Sequence, residues 1–220
     1  MNEQLTATDG HRFGAYIAAP AAAPRGALVV LQEIFGVNSH VRSIADGFAA
    51  DGYLAIAPAL FDRVEAGVEL GYGEADIQRG FALKTATGNE LPLLDIEAAI
   101  SRARSAGKVG VIGYCWGGLL SWLAACILDG LSAGIACYGG GVPSHAALNS
   151  RCPVLAHFGE RDAMIPVAGV RAFAAAHPEA QVFTYDADHG FNCDHRASYD
   201  ATAAKLARER TLQFLRRHVG

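Results

Sequence analysis

Apolar runs of strand length alternate along the chain with stretches of helical periodicity. The candidate strands are ALVVLQEI (27–34), YLAIAPAL (53–60), KVGVIGYC (108–115), AGIACYGG (133–140), PVLAHFGE (153–160) and AQVFTYDA (180–187). Most are continuously apolar instead of alternating, as expected for strands covered on both faces. Helical patterns lie near 39–50, 74–86, 93–106, 117–129, 167–177 and 197–217. That βαβα rhythm predicts an α/β fold, a mostly parallel twisted sheet with helices on both faces. Segment 61–92 is the least regular part and is expected to run as an excursion over the sheet edge. No repeat, low-complexity tract or linker divides the chain, so residues 1–220 read as a single domain. In such sheets ligands bind at the carboxyl ends of the strands, so the chemistry is sought just after each run.

Composition narrows the function without naming it. With 220 residues, 51% hydrophobic and 18% charged, the chain can bury a real core. Its net charge of −4, with no basic run longer than Arg216-Arg217, leaves no electrostatic footprint for nucleic acid. The start MNEQLTATDG has neither the basic nor the apolar part of a signal peptide, and LLSWLAACIL (119–128) is too short to span a bilayer. A cytoplasmic protein without a membrane or nucleic-acid partner is expected, as a monomer. The 5 cysteines lack C-x-x-C spacing and give neither a disulfide framework nor a zinc site. Four are expected to pack the core.

The fifth is different. Gly113-Tyr114-Cys115-Trp116-Gly117 fits the nucleophile elbow G-x-[Ser/Cys]-x-G, a strained turn from strand to helix. Small residues on either side let the two elements pass closely, and the free amides of the following helix favour an anion. A second match, Gly130-Leu131-Ser132-Ala133-Gly134, has the reverse context, helix before strand. It reads as a helix end with Gly130 as its cap.

A thiol nucleophile needs a base, and the base an orienting acid. In the elbow architecture the order is nucleophile, acid, histidine. Asp162 follows the strand 153–160, and His189 follows the strand 180–187, so Cys115, Asp162 and His189 stand in that order. Asp162 also suits a cap for the helix near Pro166, and His189 an ordinary loop histidine. Among other histidines, His157 lies inside a strand as a core group. His11, His40, His145, His177 and His218 lie at surface-like positions, and His195 competes as base from the last helical region. The oxyanion donors are expected to be the backbone N–H groups of Trp116 and Ile34. Glu33 reads either as a solvated loop carboxylate or as a partner of the Cys115 thiol that tunes its protonation.

QEIFG, GVIGYCWGG, GERD and DADHGF, in this order and spacing, resemble the dienelactone hydrolase family of α/β-hydrolases over roughly residues 5–217. The resemblance implies a Cys115–His189–Asp162 triad, contact of Glu33 with the thiol, and a pocket lined by Phe35, Trp116 and Tyr138. Phe81 and Phe191 are further candidates for substrate contact. The family's two carboxylate-gripping arginines are not in place here. Cys193 holds the position four residues past the histidine, with Arg196 three residues on, and Ile77 holds the other, with Arg79 nearby. Arg79 and Arg196 are therefore candidates for a rebuilt anion site. The implied activity is hydrolysis of a small ester or lactone through a thioester, without cofactor or metal. The alternatives are a thioesterase or other acyl hydrolase, and a non-hydrolytic thiol-sensing or binding protein on the same fold.

Overall fold

The structure is a computed structural model describing residues 2–220. Its strands are β1 (Asn2–Thr6), β2 (Arg12–Ala18), β3 (Ala27–Leu31), β4 (Leu54–Pro58), β5 (Val109–Tyr114), β6 (Leu131–Cys137), β7 (Val154–Gly159) and β8 (Gln181–Tyr185). They form one sheet in the order β1-β2-β4-β3-β5-β6-β7-β8, parallel from β4 to β8 and antiparallel at β1 and β2. The helices are α1 (Ser39–Ala50), α2 (Glu74–Thr87), α3 (Leu91–Ala103), α4 (Trp116–Ile127), α5 (Val167–Ala176) and α6 (Ala201–His218). β3, β5 and β7 are buried at every position, which their unbroken apolar runs require: both faces are covered.

The sequence pattern places the parallel strands β3 to β8 and misses the antiparallel hairpin at the β1 edge. In β2 every second residue from Phe13 to Ile17 is buried, and β1 buries only Leu5. Such short, half-wetted strands carry little apolar signal. The irregular segment 61–92 begins inside a 3₁₀ turn at Leu60–Arg63 and contains the whole of α2. The last helix starts at Ala201, capped by the Asp200 side chain on the Ala203 amide at 2.9 Å, instead of near residue 197. His195 and Arg196 consequently belong to a loop of tight turns, in which Cys193 N–H donates to Gly190 and Arg196 N–H to Cys193. Two histidines expected at the surface are buried. His177 is closed in by the Ala146 carbonyl and Glu179, and His40 lies under the loop ahead of α6, bonded to Asp194. No helix among the described residues is long and apolar enough to cross a membrane.

The topology sets the site. After β3 the chain adds β4 on one side, then crosses to β5 on the other. Such a switch opens a crevice at the carboxyl ends of the two central strands. Glu33 and Ile34 follow β3, and Cys115 follows β5.

Candidate active site

Cys115 sits at the turn between β5 and α4 with φ 54° and ψ −114°, a left-handed conformation that L side chains rarely adopt. The flanking glycines make the turn possible. A Cβ on Gly113 would come within 1.9 Å of the Gly117 carbonyl oxygen, and one on Gly117 within 2.5 Å of the Leu31 and Gln32 carbonyls. Strand, helix and the loop after β3 therefore touch backbone to backbone. The Gly117 amide donates to the Gln32 carbonyl at 3.1 Å, while the buried Gln32 side chain accepts from the Leu60 amide. Gln32 thus pins the Glu33–Ile34 loop against the elbow, a positioning role for which the sequence offers no signal.

The thiol lies 3.1 Å from His189 Nε2, and His189 Nδ1 lies 2.7 Å from Asp162 Oδ2. Asp162 divides its work: Oδ2 takes the imidazole, while Oδ1 accepts from the amides of Met164 and Ile165. It closes the turn before α5 without capping that helix, whose N-cap Pro166 has no side-chain bond. The helix cap offered by the sequence is thus not formed: one oxygen of the carboxylate holds the turn and the other faces His189. Burial disfavours charge on His189, but its hydrogen bonds to Asp162 and Cys115 outweigh this and push it up to about 10. The thiol thus sits between the His189 imidazole and the N-terminus of α4, where partial positive charge faces it. The amides of Ile34 and Trp116 donate to no protein acceptor among the described residues.

The remaining candidates separate by place. Glu33 is buried, with Oε1 accepting from Arg196 Nη1 at 3.3 Å and Oε2 unpartnered; the thiol's bond goes to His189. Burial raises the pKa of Glu33, opposed by the charges of Arg196 and His189. Phe35 is buried against Tyr72 and under the Arg196 guanidinium, which lies 5.8 Å from the ring centre. Tyr138 is buried edge-on to His189 and Phe191, its hydroxyl unpartnered. Trp116 stacks on Phe61 and donates from its indole to Asn89 at 2.9 Å, which holds the ring in the core.

Arg79 and Phe81 lie elsewhere. α2 packs so closely that a Cβ on Gly80 would meet the Ile34 carbonyl oxygen at 2.3 Å. Successive helical residues are turned well apart, so Arg79 and Phe81 project away from that contact. Arg79 is exposed and paired with Glu65, and Phe81 is exposed. Tyr72, between two glycines in the segment read as an excursion, is a site neighbour the sequence reading missed. It covers Phe35 and receives a hydrogen bond from Asn38. His157, between Tyr185 and Thr211 and depressed by burial to about 3, is the core group its strand position implies.

Known proteins are similar to this chain over nearly all of its length. The model of the dienelactone hydrolase family matches residues 13–219. Carboxymethylenebutenolidases of Pseudomonas putida and Pseudomonas knackmussii are each 36% identical over 218 residues, covering 94% of this chain and 92% of theirs. A Klebsiella pneumoniae crystal structure described as "Putative Dienelactone Hydrolase" superposes with a TM-score of 0.84 at 32% identity, covering 99% of each chain. An elbow after β5, an eight-stranded sheet with antiparallel edge and similarity of this length point one way: the chain belongs to the dienelactone hydrolase family and is a carboxylic ester hydrolase.

Proposed function

We propose that Cys115, His189 and Asp162 carry out the hydrolysis of a small ester or lactone through a thioester. The observation that carries this reading is the unbroken line from Sγ to Nε2 at 3.1 Å and from Nδ1 to Oδ2 at 2.7 Å, set at a strand-to-helix elbow. The Cys115 sulfur adds to the substrate carbonyl, and the oxygen takes negative charge facing the free amides of Ile34 and Trp116. As the C–O bond breaks, His189 gives its proton to the departing oxygen, leaving a thioester on Cys115. Neutral His189 then takes a proton from water, whose oxygen attacks the thioester. The second tetrahedral species expels the sulfur, which again shares the proton of His189. The net change is ester plus water to acid plus hydroxyl compound.

Thiol labelling tests the nucleophile directly. Burial pushes the Cys126 thiol up to about 12 and those of Cys152 and Cys193 up to about 11, and raises that of Cys137. These four are protonated near pH 7 and slow toward alkylation. Limiting iodoacetamide followed by peptide mass spectrometry is expected to modify Cys115 first. Prior labelling of Cys126 or Cys193 would remove Cys115 from the role.

Arg196 supports an acidic substrate. Its guanidinium is partly exposed above Phe35, and its one carboxylate partner, Glu33, sits at 3.3 Å, long for a charge-assisted bond. A substrate carboxylate competes for the same donor, with an interaction worth about 1.5–3 kcal/mol. A lactone acid is therefore expected to exceed its methyl ester by roughly tenfold to a hundredfold in kcat/KM, since about 1.4 kcal/mol is a decade. Arg196→Ala is expected to erase that preference, whereas Arg79→Ala, on the exposed face of α2, is expected to leave it. A preference that survives Arg196→Ala places the anion elsewhere, and turnover of neither substrate overturns the hydrolytic reading.

A further inference from the structure

Away from the thiol, the loop ahead of α6 brings the neighbours Asp194 and His195 over His40 in the first turn of α1, 154 residues earlier than Asp194 in the chain. Asp194 Oδ1 lies 3.1 Å from His40 Nδ1 and 3.7 Å from His195 Nε2, and one ligand atom from each residue falls within 4.8 Å of the others. Four-coordinate zinc with bonds of about 2.0–2.1 Å keeps neighbouring ligand atoms roughly 3.3 Å apart. The two Asp194 spacings straddle that value. Small turns of the partly exposed Asp194 and His195 side chains close the set, while His40 is fixed by burial.

From this geometry we infer that His40, Asp194 and His195 form a binding site for a divalent transition-metal ion of the zinc type, with water as the fourth ligand. Two imidazoles and one carboxylate are the donor set zinc takes when a coordination position stays open. His40 is buried and fixed in place, with Nδ1 as the ring nitrogen that faces Asp194. Its Nε2 has no protein partner. His40 and Asp194 border a cavity of about 330 Å³ between α1 and α6, also lined by Ser43, Asn192 and Lys205, which gives an ion and its water a route of entry. The N-terminal end of α1 is positive and opposes a cation, an effect offset by the Asp194 charge. The sequence offers no such motif because the three ligands fall on two unrelated segments.

Occupancy would cross-link α1 to the loop that carries Arg196 over Glu33 and Phe35. The site is independent of hydrolysis, and its test reads binding. Cys115 beside His189 is itself a potential zinc ligand pair, so the background protein is Cys115→Ser, stripped with EDTA. Calorimetric titration with zinc chloride is expected to show one saturable equivalent and a raised thermal midpoint. Adding His195→Ala or Asp194→Asn, both at exposed positions, is expected to weaken binding at least about a hundredfold and abolish the midpoint shift, with the far-ultraviolet circular dichroism unchanged. Undiminished affinity in both double variants, or no saturable equivalent in Cys115→Ser, would overturn the site.

Discussion

Replacing Cys115 with alanine is expected to abolish ester turnover, with a loss on the order of a millionfold in kcat. The carboxylates near the thiol are already engaged. Asp162 is committed to His189 and two amides, and Glu33 to Arg196. What remains is the weak acceleration given by binding and by the free amides of Ile34 and Trp116. The fold should survive, because the strain at φ 54° belongs to the backbone turn and alanine meets it as cysteine does. Single-turnover assay of an aryl ester, with thermal unfolding as the check on folding, decides the matter. Cys115→Ala activity within tenfold of the parent would assign the chemistry to another residue.

Asp162→Asn is expected to cost roughly ten-thousandfold in kcat, less than the loss of the thiol. The amide oxygen of asparagine can keep the bonds from Met164 and Ile165, so the turn before α5 persists. Its NH2 group then faces His189 Nδ1, where a carboxylate accepted at 2.7 Å. A donor there selects the imidazole tautomer with its proton on Nε2, the wrong one to take a proton. The same substitution predicts a pH-dependent change in stability. His189 is raised from 6.5 to about 10 in the fold, so its pairing stabilises fully below the unfolded value and fades as pH rises through about 10. The thermal deficit of Asp162→Asn relative to the parent should therefore be larger at pH 6 than at pH 10. A deficit that grows with pH would mean the pair is not charged as described.

Much of this protein is decided locally. Unbroken apolar runs make β3 to β7, because a strand covered on both faces needs apolar residues in succession, whereas β8 at the edge is partly exposed. The G-x-C-x-G elbow announces itself in five residues, because the contacts of Gly113 and Gly117 leave no room for a Cβ. Cys115, Asp162 and His189 were legible as a set because each follows a strand, and parallel strands deliver their carboxyl ends to one edge. The antiparallel hairpin β1–β2 was not, since half its positions face water and imitate a loop.

Other features were decided only by packing in three dimensions. Arg79 and Arg196 are alike as residues, and long side chains take whichever carboxylate the fold brings near. The close approach of Gly80 to Ile34 turns Arg79 outward to Glu65, and the loop ahead of α6 lays Arg196 on Glu33. That loop also buries His40, which by spacing alone is a surface histidine, beneath Asp194 and His195. Backbone periodicity is written in neighbouring residues, and so the sequence determined the sheet and the elbow. Side-chain partnership between distant segments depends on how loops cross the sheet edge, and that the tertiary structure decided.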